Sequence, residues 1–373
     1  MKNTIKTILA SIAALAMLST TPVQTSAYNM NEPKIIVQSQ KRDMHVNFSK
    51  DGKKFVYTRL EDKGGFDAVS EIVLNENGTE KVLTQGYVDV KPSFSPDGKK
   101  VAFFRSIGGG YGYIYTIGVD GKNLEEIIPS YITNVAWNPD GKEIAFTCDY
   151  VEEKTHIITE EEIESIKKEK GTGNIAYKVG DEIKYEEFST AIGILNLKTK
   201  DVKHLTKNEG NCENPEFTED GKILYIFNKN KTSTSGKELW IMDKNGDNKK
   251  PLVQLENRVE RTINKDGSVT LHMKEGTVDK VSSDGDLIAY LAETRERIVQ
   301  ITPKKTNKLD YDAKEIKDEY ITSIHVRNLK TGETKLVTDE GNLWFPELKN
   351  NKVYFSRCDN EETDHDIYSI DLK

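Results

Sequence analysis

KPSFSPDGKKVAFFR, residues 91–105, is the stretch from which the fold can be read. Phe94 leads into Ser95-Pro96-Asp97-Gly98, where proline presets a turn and glycine supplies a positive φ, so that Val101-Ala102-Phe103-Phe104 folds back as a second strand. The stretch is one β-hairpin. A lone hairpin is marginal in water, and its partners have to come from elsewhere in the chain.

They come from repetition. VNFSKDGKKFVYTR (46–59), PSFSPDGKKVAFFR (92–105), VAWNPDGKEIAFTC (135–148) and PEFTEDGKILYIFN (215–228) follow one pattern. KVSSDGDLIAYLA (280–292) is a weaker copy, and FPELKNNKVYFSR (345–357) replaces Asp-Gly by Asn-Asn, which still tolerates a left-handed turn. Each hairpin is followed by a second strand–turn–strand phrase, such as YIYTIGVDGKNLEEII (113–128) or SIHVRNLKTGETKLVT (323–338). The sixth unit ends with DIYSIDLK (366–373), one strand short, while KIIVQ (34–38) stands before the first hairpin without a partner. Four-stranded units at this period are the signature of propeller blades. The fold expected is all-β: a six-bladed β-propeller of four-stranded antiparallel blades, the last completed by the N-terminal strand. Closure removes the exposed edge, and a monomer is expected.

The phrase [SNT]-x-DGK before an apolar alternation, with IYTIGVDG, LWIMDKNGD and IYSIDL, resembles the WD40-like (PD40) repeat of TolB-type six-bladed propellers, over essentially the whole chain after residue 27. Only about 17 residues separate that point from the first hairpin, where TolB carries an additional α/β domain, so the resemblance is to the propeller and not to the whole of TolB. It implies a fold more than a function. Such propellers serve as protein-binding modules, as lids over peptidase domains and occasionally as enzymes.

Lys2 and Lys6 precede an apolar run from Ile8 to Leu18, and Thr25-Ser26-Ala27 supplies small residues for a signal peptidase. Cleavage near Ala27 would export the protein to a periplasm or out of the cell, and Tyr28, not cysteine, follows the cut, which disfavours a lipid anchor. The domains expected are therefore a signal peptide, 1–27, and a propeller, 28–373. Losing the leader leaves 51 basic against 61 acidic side chains, a balance that argues against general nucleic-acid binding. No second apolar run is long enough for a membrane span. Cys148, Cys212 and Cys358 are too few for a disulfide scaffold.

Successive turn aspartates, Asp51, Asp97, Asp140, Asp220 and Asp284, stand 46, 43, 80 and 64 residues apart, so the repeat is interrupted. Residues 149–188 and 293–320 are insertions between second and third strands of blades 3 and 5, and 261–274 reads as an added hairpin. Thr159 and Glu162 form a capping box for a helix ending at Gly171. Both insertions are expected on the face opposite the Asp-Gly turns, and that face is the candidate for binding. The alternative is that they are solvated decoration.

Arg59, Arg105 and Arg357 occupy matching positions at second-strand ends of blades 1, 2 and 6, and His45 and Lys91 stand early in first strands. Together they would present a cationic sector to an anionic ligand, an acidic peptide or a sugar acid. The plainer alternative is that each arginine satisfies a neighbouring carboxylate. DKNGD (243–247) and DNEETDHD (359–366) are oxygen-rich but lack the EF-hand spacing, and the six histidines are scattered, so neither a metal nor another cofactor is expected. There is no G-x-S-x-G elbow, and with the last blade ending at Lys373 no peptidase domain is expected after it. The leading expectation is a non-catalytic exported scaffold that binds a protein or peptide at the channel face. Alternatives are a lyase or hydrolase acting on an anionic saccharide, and an accessory subunit of a peptidase or envelope complex.

Overall fold

Six hydrophobic clusters, one at each junction between consecutive four-stranded units, organise the molecule. The computed structural model describes residues 25–27, 32–61, 68–108, 111–128, 132–156, 176–179, 182–207, 209–231, 233–303, 311–339, 341–358 and 365–372. Alternation along each strand sends successive side chains to opposite neighbours. In blade 2, Val101 and Phe103 pack with Val56 and Ile72 of blade 1, whereas Ala102 packs with Ile144 and Phe146 of blade 3.

Blade 1 comprises Arg42–Phe48, Lys54–Glu61, Val69–Glu76 and the first half of Thr79–Phe94, whose second half opens blade 2. Blade 2 continues with Lys100–Gly108, Tyr111–Gly118 and Glu125–Ile128. Blade 3 has Ile132–Trp137, Glu143–His156, Glu182–Asn196 and Val202–His204. Blade 4 has Asn211–Phe217, Ile223–Asn228, Glu238–Met242 and Lys250–Val253. Blade 5 is built from Val269–Asp284, Leu287–Pro303, Tyr311–Asn328 and Thr334–Thr338, and blade 6 from Asn342–Lys349, Lys352–Cys358 and Asp366–Asp371. Lys34–Val37 pairs antiparallel with Asp366–Asp371 as the missing fourth strand. The ring closes through Val37 and Ile367 of blade 6 packing on Val46, Tyr57 and Val73 of blade 1.

The repeated turn has a simple cause. Ser95 Oγ donates to Asp97 Oδ1 at 2.7 Å and accepts from Lys100 N at 3.0 Å, while the Lys99 amide bonds Asp97 and Gly98, at φ 66°, donates to Ser95 O. Ser49/Asp51 and Thr218/Asp220 reproduce this network. Asn350 and Asn351, at φ 51° and 57°, make the blade 6 turn as left-handed residues.

The interruptions are strands that overrun the blades. Glu143–His156 and Glu182–Asn196 stay paired out to His156 opposite Ile183, with Ala176–Val179 added at the edge. In blade 5, Leu287–Pro303 and Tyr311–Asn328 pair out to Pro303 opposite Tyr311. The added hairpin is present as Arg258–Ile263 against the start of Val269–Asp284. These ribbons leave the end of each second strand, away from the turns. The helix expected before Gly171 lies outside the described residues, as do residues 1–24 of the expected leader. Thr25–Ala27, at the expected cut, lies parallel to Thr334–Thr338 on the outer edge of blade 5. The three cysteines are free thiols. No helix among the described residues is long and apolar enough to cross a membrane.

Candidate binding site in the central channel

Every blade breaks its first ladder at the same place. The register between first and second strands slips by one residue after Met44, Val90, Ile132, Glu213, Val278 and Trp344, a single-residue bulge in each blade. Pro92, Pro215 and Pro346 sit in three of these bulges, where a missing N–H removes no ladder bond. The bulge re-aims a side chain at the axis, and His45, Lys91, Asn134, Asn214, Lys280 and Phe345 form a ring around a cavity of about 110 Å³. His45, Lys91, Asn214 and Phe345 hold φ between 50° and 56° to do so.

First strands run toward the Asp-Gly turns, so the next inward position lies deeper on the turn side. There Glu216 and Glu347 line both this waist and a wider mouth of about 400 Å³, framed by Pro96, Trp137, Phe217, Gly285 and Asn350. Glu347 accepts from Asn47 Nδ2 at 3.0 Å and from Ser282 Oγ at 2.9 Å. Burial pushes its carboxyl up to about 7 against these bonds, and burial together with the Glu347 charge drives Glu216 well above the usual carboxylate range. On the other side of the waist, burial and then Lys280 push Lys91 down to about 7. Burial, Lys91 and Lys280 hold the His45 imidazole well below its ordinary value. His45 rests on Phe345 with ring centroids 3.9 Å apart. Asn134 Nδ2 donates to Asn214 Oδ1 at 3.0 Å, closing the ring on the far side. At neutral pH the waist thus holds a neutral imidazole, a Glu216 carboxyl biased towards its neutral form, and two groups, Lys91 and Glu347, poised between charge states.

Of the residues singled out from sequence, His45 and Lys91 line the waist. The three arginines lie outside its lining, at the insertion-face ends of their blades. Arg105 grips the wholly buried Asp89 with two bonds of 2.7 and 2.8 Å and lies between the rings of Tyr87 and Tyr115. Arg59 bonds Asp43 Oδ1 at 2.9 Å, Glu80 Oε2 at 2.9 Å and the Tyr57 hydroxyl. Arg357 lies over the Tyr368 ring at 4.2 Å. Lys280, Glu216 and Glu347 were not singled out from sequence. The signal was available: in blades 4 and 6 a proline five or four residues before the turn marks the bulge, and the residue after it is the glutamate. Around Asp243 the turn is satisfied internally, with Asn248 Nδ2 donating to Asp243 Oδ2 at 2.5 Å. Residues 359–364 lie outside the described residues, and no cluster of three metal-ligating side chains occurs among those described.

Residues 7–157 match the family described as PD40, TolB beta propeller domain. That match covers less than half of the chain, and the fold is a β-propeller similar to that of TolB. It is 24% identical over 200 residues to a Bacillus subtilis protein named uncharacterized peptidase YuxL, a match covering 50% of this chain and 29% of that one, so the chain spans well under half the length of that relative. Among solved structures, TolB from Acinetobacter baumannii aligns with 82% of this chain and 60% of its own at 19% identity and a TM-score of 0.43. An oligogalacturonate lyase from Vibrio parahaemolyticus aligns with 93% of this chain and 99% of its own at 11% identity and a TM-score of 0.45.

Proposed function

We propose that this propeller is an exported binding scaffold that recognises a protein or peptide partner on the insertion face, with the channel waist as its innermost contact. One observation carries the reading. Large apolar side chains stand exposed around that face, among them Tyr87, Ile107, Val151, Phe188, Tyr320 and Trp344, at the starts of first strands or the far ends of second and third strands. Elsewhere the exposed ones, Ile35, Val82, Leu124 and Val202, sit singly on or beside outer strands. An apolar face rimmed by charge marks an interaction surface. Arg105, 4.0 Å from the Tyr87 ring, and Arg59 belong to its rim. Export is supported by the order of basic head, apolar run and small residues before Tyr28.

The test is capture of partners from the native host by the exported protein, beside a variant carrying Tyr87→Ser, Phe188→Ser and Trp344→Ser. These side chains are exposed, so the melting temperature should hold while capture is lost. Equal capture by both proteins contradicts the reading. A second reading rests on the raised carboxyls of Glu216 and Glu347 beside the 400 Å³ mouth: acid–base chemistry on an anionic saccharide taken from the turn side. Turnover of such a saccharide that disappears in Glu347→Gln would favour it.

A further inference from the structure

The waist is too narrow for most ligands and too cationic to be a plain packing seam. We infer that it receives the C-terminal carboxylate of an extended peptide, inserted end-on from the insertion face between Lys91 and Lys280. This rests on the reading of that face as the side that meets a partner.

Lys91 and Lys280 come from blades 2 and 5, opposite one another in a six-membered ring, and both line the same small cavity with His45. Because first strands run from insertion face to turn face, Lys91 and Lys280 precede Glu216 and Glu347 along the axis. A group entering from the insertion face reaches the lysines first. The cavity, about 110 Å³, is far below the roughly 300–1,000 Å³ of clefts that enclose whole small molecules. Its size suits a chain end better than a whole sugar.

The backbone points the same way. Lys91, His45 and Phe345 adopt a left-handed φ that costs a residue with a bulky side chain, at a position that blade 4 fills with Asn214, a residue type that enters this region readily. Such strain, kept where a cheaper residue would serve, collects at ligand sites. Charged groups face the waist from both sides. Towards the insertion face, Lys237 bridges Glu213 at 3.3 Å and Asp279 at 3.6 Å, Lys280 lies 3.4 Å from Asp279, and Glu293, raised by burial, bonds Tyr320. Towards the turn face, Glu216 and Glu347 are both held towards their neutral forms. Between them Lys280 disfavours the charge on Lys91, which Asp279 and Glu213 favour only in part, and a carboxylate set between the two ammonium groups adds to their pull, restoring the proton Lys91 has half lost at pH 7.

The experiment uses the exported protein, immobilised, and two pools of randomised hexapeptides, one with free C-termini and one amidated. Retained peptides are counted by mass spectrometry. Free acids should be retained at least tenfold over amides, more strongly at pH 6 than at pH 8, and Lys91→Met and Lys280→Met should each erase the preference without lowering the melting temperature. Equal retention of acids and amides overturns the inference without recourse to variants. Enrichment of amidated peptides carrying an internal Asp or Glu to the level of the free acids also overturns it, assigning the waist to acidic side chains. Retention of neither pool overturns it as well, and host partners still captured through Tyr87, Phe188 and Trp344 would then show that the scaffold reading survives alone.

Discussion

The two faces of the disc are built on different principles. On the turn face, blade after blade closes the same hydrogen-bond network, Ser49 with Asp51, Ser95 with Asp97 and Thr218 with Asp220, and the carboxylates are spent on their own turns. Those bonds lower Asp51, Asp97 and Asp220 below the usual carboxylate range. On the insertion face the blades diverge: blades 3 and 5 send out long ribbons, while blades 1, 2 and 6 end in arginines packed on tyrosine rings. The repeat specifies the scaffold, and individuality is concentrated where the repeat lapses. A rigid, repetitive face can then support a variable one.

Breaking the scaffold itself should have the largest effect. Deleting residues 28–40 removes Lys34–Val37, leaves Asp366–Asp371 with an open edge and uncovers the apolar cluster around Ile367. Thermal melts should show a loss of several kcal/mol, on the order of burying two aliphatic side chains and one strand's ladder, and light scattering should show association. An unchanged monomer with an unchanged melt would mean the ring closes in another way. Next comes Arg105→Gln, which strands the wholly buried Asp89 and should cost about 3–5 kcal/mol in a denaturant titration. A loss below about 1 kcal/mol would show that the arginine serves the surface more than the blade.

The repeat was legible because its chemistry is local: a Ser-x-Asp-Gly turn and flanking alternation fit within fourteen residues, and the unpaired KIIVQ announced closure. The waist was only partly legible. His45 and Lys91 were found as residues early in first strands, but Glu216, Lys280 and Glu347 meet them only once six bulged strands converge, and nothing within one blade brings Glu216 toward Glu347 or Lys91 toward Lys280. The arginines were seen as a cationic sector because sequence shows their matched positions but not the partner strand, where Asp43 and Asp89 stand directly across from Arg59 and Arg105. The insertions were read as interruptions of the repeat, with a helix in the first. Their alternation continues past the blade, and that is why they extend as paired ribbons.

Stability against pH sharpens the contrast between the faces. Glu347 titrates at about 7 when folded and near 4.5 when not, so the folded state binds the extra proton and stability falls as pH rises from 4.5 to 7. Lys91, at about 7 folded and near 10.5 unfolded, works in the opposite sense: its cost is complete below 7 and is relieved as pH climbs toward 10.5. Glu347→Gln should flatten the acidic limb and Lys91→Met the alkaline limb, each by about 1–3 kcal/mol across its window. Turn-face Asp97 has the reverse sign to Glu347, contributing stability above its unfolded value of 3.8 that is lost as pH falls below it. Identical pH profiles for parent and both channel variants would contradict the assignment. The smallest effect is expected from replacing residues 157–181 by a short Gly-Ser linker, which should shift the melting temperature within error, whereas Gly98→Ala at φ 66° should cost about 1 kcal/mol.

The central claim, that recognition belongs to the insertion face, is tested most directly by photocrosslinking in the native host. A photoreactive residue is placed at Trp344 on that face in one protein and at Lys53 on the turn face in another. The account predicts a discrete adduct with a host protein or peptide from position 344 and none from position 53. An adduct from position 53 alone, or from neither position, would contradict it.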